Sequence, residues 1–440
     1  MNQQEYILEQ IQYYEASVQY KNLRLYRDYY EANNPELMSR WLERAYKHKT
    51  PNWKIPTPYY STIVDSMAGF MFSDVQYSSP SEAFDTTLNQ ILKVNNADTK
   101  DMISGTYALA YNRAYELIYT EGENNVQIKY TSLDPLTVIP IYDNSIEQKL
   151  TAIIWKRKSG DVMLVDYIDG FVWEYYKLED GKLIELQKPK TLYFGECNVA
   201  EYKSELIGDA PPFSVVISFI SALDWTITGN SNEMDRIVDA LLLLGKRVSE
   251  EDLSTMDEWK VLQEISKDEI TPQYLTKNLS PEFRKYVSEL LINEIHKHCH
   301  VIDWYNPAQM GDTSAKALKT RLFDMNMFSN RIEKVYIHGI RKRIHLLSKL
   351  LNQTMVSEAE NVNITLNRTV PTDYEDMINT LKGCDWLSTE TKVILSGQDW
   401  ETEKERLKGE AVEINLDDLP PELDNLPPGT TEETIEEDEA

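Results

Sequence analysis

The chain has 440 residues, enough for two or three compact domains with their own cores, and its 42% hydrophobic content is ordinary for a globular protein. It carries 45 basic and 72 acidic residues, a formal net charge of −27, which argues against a protein that grips nucleic acid through many phosphate contacts. Three cysteines, Cys197, Cys299 and Cys384, are too few and odd in number for a disulfide framework and fit a reducing compartment.

In chain order, the opening MNQQEYILEQ lacks a basic segment followed by an apolar one, so no signal peptide is expected. Residues 1–50 read as helix, with Ile7, Ile11, Tyr14 and Val18 at helical spacing on an inward face. Pro51, Pro56 and Pro58 interrupt it, and Ser61 to Phe72 resumes as an apolar helix ending near Asp74. Asp85 to Tyr119 again reads as helix, with Tyr107, Tyr111 and Tyr115 stacked four residues apart. From Glu121 the apolar period switches to two. The stretches VQIKY, LTVIPIY, TAIIWKRK, DVMLVDYI and FVWEYYKL alternate as strands, and Asp169-Gly170 and Glu179-Asp180-Gly181 are tight-turn signals. A helical cap followed by an antiparallel meander is an α+β arrangement.

After Pro211-Pro212, Val215 to Leu244 reads as one long, mainly helical stretch with an interruption at Gly229-Asn230. Its apolar run Ala240 to Leu244 is the longest in the chain and far too short to span a bilayer. VLQEI and QYLTKNL look strand-like. Ser280-Pro281-Glu282 then starts a helix whose buried face is expected to carry Phe283, Tyr286, Val287, Leu290, Leu291 and Ile295. The stretch from Asn293 to Lys319, NEIHKHCHVIDWYNPAQMGDTSAKALK, ends that helix in an aromatic, Pro-containing loop. Gly311-Asp312-Thr313-Ser314 then launches a second helix. Leu318, Leu322, Met325, Ile332, Val335, Ile340, Ile344, Leu347 and Leu351 face inward along it. Its length is roughly 37 residues, or about 55 Å at 1.5 Å per residue, which requires packing on neighbours, its own or another subunit's. VNITL returns as a strand, and Ser388-Thr389-Glu390 starts the first of two closing helices. Ala411 to Ala440 holds eleven acidic residues, no Lys or Arg, and two Pro-Pro pairs, and reads as an extended acidic segment.

Helix, central loop and long helix make the layout of a channel-lining hairpin, and the ordered series of motifs resembles the siphophage-type portal family of tailed bacteriophages. Lys54 to Tyr77 resembles that family's early block, an extended run, an Ile-Val-Asp and an apolar helix. Thr106 to Tyr142 resembles its next segment, through Ala114-Tyr115-Glu116-Leu117, Leu133-Asp134-Pro135 and Val138-Ile139-Pro140-Ile141-Tyr142-Asp143. Ile295-His296-Lys297 and Gly311 to Lys319 are similar to its stem end and tunnel motif. Asn363 to Glu410 is similar to its closing block, with Leu387-Ser388-Thr389-Glu390-Thr391 and Glu403-Lys404-Glu405-Arg406. The series covers most of residues 20–410. Two departures are Ala315, where the family often has Gly, and Val301-Ile302-Asp303, which lacks the Pro often found before that Asp.

The resemblance implies a portal fold and a ring, usually of twelve subunits, at one capsid vertex, acting as channel for double-stranded DNA packaging and ejection. It maps a wing to 1–214 with 352–374 returning to it, and stem helices to 215–245 and 281–300. A clip maps to 246–280, tunnel loop and long helix to 301–351, a crown to 375–410 and the acidic tail to 411–440. Implied partners are the homo-oligomeric ring itself, double-stranded DNA, the terminase large subunit, major capsid and scaffold proteins, and head-tail adaptor proteins, with no membrane and no cofactor. The implied location is the virion head vertex, with the host cytoplasm during assembly. Candidate channel residues are Trp304, Tyr305, Asn306, Gln309, Lys316 and Lys319; candidate clip docking residues are Glu250, Glu251, Asp257, Glu258 and Trp259. An acidic chain suits a conduit, because walls that neutralised about 6–10 phosphates would hold the duplex rather than let it slide.

His296, His298, Cys299 and His300 could supply zinc ligands, but no CxxC or acidic partner adjoins them, and cations near a helix C-terminus are favourable in any case. Arg341-Lys342-Arg343 could form a nucleic-acid patch; pairing with acidic neighbours in the ring is the favoured reading. Lys316 and Lys319 could face the channel or form intersubunit ion pairs, and Trp304 and Tyr305 could pad the pore or lock the loop against the next subunit. Enzymatic motifs fail. Leu244-Gly245-Lys246-Arg247 lacks the first Gly and the final Ser or Thr of a phosphate loop, and no Gly-x-Ser-x-Gly or HExxH occurs. A nuclease of the same mobile element is the alternative, on Glu258-Trp259-Lys260, a spacing that Glu201-Tyr202-Lys203 repeats by chance.

Overall fold

The computed structural model describes residues 2–40, 52–122, 126–205, 207–238, 241–243, 273–275, 281–304, 315–351, 353–368, 381–384 and 386–413. The chain divides into two compact units, Met1–Val370 and Pro371–Ala440.

In the first unit, α1 (Gln3–Ala16) and α2 (Val18–Tyr30) are separated by Ser17, whose hydroxyl accepts from the Tyr20 amide and so caps α2. That break turns Val18 outward, 71% exposed, so it leaves the inward face formed by Ile7, Ile11 and Tyr14. After α3 (Pro35–Arg40), the apolar helix α4 (Tyr59–Phe72) is buried along most of its length. It runs into β1 (Asp74–Ser78). Helices α5 (Glu82–Val94) and α6 (Ala97–Tyr111) follow. Asn112 then adopts a left-handed conformation, φ 55°, and ends α6. Its side-chain oxygen accepts from the amides of Ser204 and Glu205 at 2.9 and 2.8 Å.

The helix expected to run on to Tyr119 therefore stops, and Tyr115 lies on strand β2 (Ala114–Glu121). Packed between α6 and a long helix described below, β2 is covered on both faces. Its residues read as an unbroken apolar run, which periodicity cannot tell from helix. It is the central strand of an antiparallel sheet, β3 (Gln127–Leu133), β2, β9 (Val199–Tyr202). The expected meander is present for four of its five stretches, while VQIKY lies on β3 in the sheet just described, because it pairs back on β2. β4 (Val138–Tyr142), β5 (Leu150–Ser159), β6 (Val162–Ile168) and β7 (Val172–Glu179) pair antiparallel in sequence order. An unforeseen fifth strand, β8 (Lys182–Thr191), extends them. Gly170 (φ +88°) sits so tightly under the next connection that a Cβ there would fall 1.7 Å from the Glu196 carbonyl oxygen.

A short 3-10 turn, Pro212–Val216, leads into α7 (Ile217–Val238), which passes through Gly229-Asn230 without the expected interruption. The Asn232 side chain bonds both the amide and the carbonyl of Trp53, and Asp224 accepts from Thr57, so tertiary contacts hold the helix on either side of Gly229. Pro212–Met234 is long and apolar enough, by length and composition, to cross a membrane. Its polar side chains are tied to Trp53–Thr57, and Phe213, Val216, Ile220 and Leu223 lie in the core. Leu241–Leu243, expected to be helical, is strand β10, paired with β11 (Gln273–Leu275). VLQEI lies outside the described residues.

Helix α8 (Pro281–Cys299) starts at the expected proline, and α9 (Ala315–Lys349) is the long helix, about 52 Å at 1.5 Å per residue. A short α10 (Gln353–Ala359) leads to β12 (Asn363–Asn367), which pairs antiparallel with β1, Asp74 opposite Asn367. In the second unit, Ser388 caps α11 (Thr389–Leu395) by accepting from the Thr391 amide, and Asp399 does the same for α12 (Trp400–Glu413) through Thr402.

Candidate conduit hairpin and its anchorage

Of the channel candidates, Trp304 follows the turn out of α8 and is partly exposed. Tyr305, Asn306 and Gln309 lie outside the described residues, as do Glu250, Glu251, Asp257, Glu258 and Trp259. Lys316 and Lys319 lie on the first turns of α9, with side chains outside the described set.

The base of the hairpin is pinned by its histidines, each with a separate partner. His296 Nδ1 lies 3.0 Å from the Val301 carbonyl, which holds the chain as it leaves α8. His298 Nε2 meets Glu294 at 3.1 Å, and its ring stacks on Phe219. His300, in a left-handed conformation at φ 56°, places Nδ1 2.8 Å from Asp324 on α9 and stacks on Phe328, 4.6 Å between centroids. The Arg331 guanidinium lies over the Phe328 ring and bonds Glu205 at 2.5 Å. Cys299 is buried, which pushes its thiol up and leaves it inert. Among the described residues no group of three His, Cys, Asp or Glu is arranged to hold a metal ion.

Above the pins, among the described residues, one face of each helix is covered and part of the other is exposed. Helix α8 packs on α7 and on the 3-10 turn before it, and Arg284 bonds Glu233 at 2.6 Å. Of the six residues expected on its buried face, Ile295 is buried and Val287 and Leu291 are half-covered. Phe283 (64% exposed), Tyr286 (60%) and Leu290 (43%) stand open. On α9, Phe323 (65%) and Met327 (56%) do the same. Spacings of three and four put each set on one helical face.

The other end of α9 is sealed. Arg343, with no exposed surface, lies with Nη1 2.5 Å from Asp101 and 3.4 Å from Glu116, and its Nη2 donates to the Tyr77 hydroxyl at 2.5 Å. Tyr77 in turn donates to Asp101 at 2.5 Å. Glu116 is held by Ser104 at 2.7 Å and by the Tyr202 hydroxyl. The Tyr336 ring fills the space between Phe72 and Tyr202. One turn on, Lys342, His345 and Lys349 converge on Glu196, in the connection between β8 and β9; His345 is at 2.9 Å and Lys349 at 2.5 Å. Though partial burial opposes it, bonds to Lys342 and Lys349 bring the Glu196 carboxyl down to about 2. A parallel knot joins Arg113 to Glu201 (2.7 Å) and Asp209 (2.5 Å).

Arg341-Lys342-Arg343 was expected to meet acidic groups of a neighbouring subunit. Instead Lys342 and Arg343 satisfy themselves within their own chain, because α9 crosses β2 and β9 there and brings them onto Glu196, Asp101 and Glu116. Sequence reasoning missed Asp101, Glu116 and Tyr202. The available signal was a lone Glu inside the apolar AYELIY.

The α+β body thus anchors one end of a long helix, while large apolar side chains on its described N-terminal part and on α8 stay exposed. The sequence matches the family described as "Phage portal protein, SPP1 Gp6-like" over residues 11–415. The chain belongs to that family: it is a structural portal protein, the subunit of a ring at a capsid vertex. Similar solved chains include one from "Neck of empty GTA particle computed with C6 symmetry", at 11% identity and TM-score 0.41, covering 83% of this chain and 94% of that one. Another is from "Neck of native GTA particle computed with C12 symmetry", at 10% identity and TM-score 0.42, covering 82% and 94%. A third is from "Virion of native gene transfer agent (GTA) particle", at 10% identity and TM-score 0.41, covering 78% and 90%. Comparison with curated proteins finds no match.

Proposed function

We propose that the subunits close, twelve to a ring, around an axial channel through which double-stranded DNA is packaged and later ejected. The α8–α9 hairpin lines that channel, and the loop between the helices, with Trp304, Tyr305, Asn306, Gln309, Lys316 and Lys319, is its narrow part. The segment 246–280, with Glu250, Glu251, Asp257, Glu258 and Trp259, docks the terminase large subunit first and head-tail adaptor proteins later. Residues 1–214 with 352–374 form the wing, 215–245 and 281–300 the stem, and 375–410 the crown. Assembly takes place in the host cytoplasm with major capsid and scaffold proteins, and the finished ring resides at the virion head vertex.

The observation that carries this reading is the unequal covering of the hairpin. A ring closed by rotation needs, on every subunit, surface that the isolated chain leaves open. The nuclease alternative is unsupported by the family match.

The test is the mass and shape of the purified protein, by light scattering and negative-stain microscopy, with a ring and central hole as the expected result. Deleting part of Trp304–Met310 should leave ring assembly intact and impair packaging or retention of DNA. Normal packaging in that variant would remove the loop assignment. Lys316→Ala with Lys319→Ala should matter less, since contacts with a sliding duplex are weak and shared.

A further inference from the structure

The sealed junction between α9 and the body holds more acid than base. Arg343 commits itself to Asp101, directly from Nη1 at 2.5 Å and, from Nη2, through the Tyr77 hydroxyl to the second carboxylate oxygen. Both Glu116 oxygens accept from the same Nη1, but at 3.4 Å, beyond the 2.7–2.9 Å typical of a charge-assisted bond, and the shorter bonds to this carboxyl come from the Ser104 and Tyr202 hydroxyls. Lys100, half-buried on α6, directs its ammonium to the Asn95 side chain at 3.2 Å and to the Tyr130 carbonyl.

The Lys100 charge is still felt at Glu116 from there; the remaining groups around the carboxyl supply no positive charge. They are Ser104 on α6, Tyr77 on β1, Tyr130 and Ser132 on β3, Tyr202 on β9 and Tyr336 on α9. Burial pushes all four phenols up, so they stay neutral. With Asp101 and Glu116 both ionised, the one fully buried guanidinium would face two carboxylates at essentially zero exposure, an excess of charge that is costly to hold in a protein interior.

We propose that Glu116 is kept as a neutral carboxylic acid in the folded subunit, and that its ionisation loosens α9 from the body. Burial moves its carboxyl up from the ordinary range, in the same direction. A carboxyl so raised contributes stability that is fully present below its unfolded value, about 4.3, and is lost as pH rises through the folded one. The group lies where β2, β9, α6 and α9 meet, so the loss falls on the contact that fixes the long helix. This inference depends on the junction alone and stands whether or not DNA passes through the ring.

The experiment follows unfolding of the full chain against pH for the wild type and for Glu116→Gln, which keeps the shape and cannot ionise. Above about pH 4.3, the wild-type unfolding constant should grow relative to that of the variant by up to about tenfold per pH unit, then level off. Parallel curves overturn the proposal. Should the variant fail to fold, infrared spectra of the wild type grown with isotope-labelled glutamate decide the matter. A protonated-carboxyl band that moves with the label at neutral pH is expected, and its absence overturns the neutral acid. Hydrogen exchange over Tyr336–Leu347, corrected for base catalysis, reads the loosening: it should rise with pH in the wild type and stay flat in Glu116→Gln. Flat exchange in the wild type refutes the release.

Discussion

The two ends of α9 follow opposite physical rules. Toward Lys349 most of the helix is covered by its own chain, and its buried and half-buried charges pair internally, Arg343 on Asp101 and Lys342, His345 and Lys349 on Glu196, while Arg341 stays exposed. Toward Ala315 and along α8, large apolar side chains stand in solvent, although α8 is held along its other face by α7 and by Arg284 on Glu233, and at its base by His296 on Val301 and His300 on Asp324. Folding of a single chain completes the first end. The second is complete only when another surface covers it. A subunit built this way, on the proposed reading, can fold its body before assembly and leaves apolar surface of α8 and α9 for a neighbour to cover.

That contrast can be broken most forcefully at the sealed end. Arg343→Met removes the single buried cation from two buried carboxyls, and should cost about 3–5 kcal/mol, read as a lower denaturant midpoint. A loss under about 1 kcal/mol would mean that the junction tolerates exchange as a surface does.

Glycine substitutions sharpen the same comparison. A Cβ at Gly339 would stand 2.3 Å from the Tyr202 ring, so Gly339→Ala should destabilise the protein by about 1–3 kcal/mol, through overpacking. At Gly229, in the middle of α7, nothing lies within 4 Å of such a Cβ, and the same change should stabilise the chain by about 0.4–1 kcal/mol. Thermal melts of the two variants should shift in opposite directions.

The smallest effect on the isolated subunit is expected at the open end. Tyr286→Ser with Leu290→Ser should move subunit stability by no more than about 0.5 kcal/mol per site, as exposed positions do. The pair should nevertheless shift the protein from ring to free subunit in sedimentation velocity. Rings that persist unchanged would mean that these side chains face solvent in the assembly too.

The outline of the fold was legible wherever local signals were strong. The strands of the meander from Leu150 to Glu179, the turns at Asp169-Gly170 and Asp180-Gly181, the Pro281 start of α8 and the inward stripe of α9 from Leu322 to Leu347 all appear as read. Misreadings fell where tertiary contacts override local pattern. Tyr115 was placed on a helix because a strand covered on both faces has no alternation to detect. Gly229-Asn230 was read as a break because the hydrogen bonds that carry α7 past it come from residues nearly 180 positions away. Of the site, the hairpin's order was legible, whereas the direction of Phe283, Tyr286 and Leu290 was not, since an apolar stripe looks the same whether it faces a core or a neighbour.

By itself, then, the sequence determined the kind of elements, their order and the family, because periodicity, turn residues and ordered motifs are properties of neighbours along the chain. Only the tertiary structure decided which charges meet. Asp101, Glu116 and Arg343 are separated by up to 242 positions, and the crossing of α9 over β2 and β9 brings them within bonding reach. Pairing of that kind rests on distance through space, which no spacing along a chain encodes.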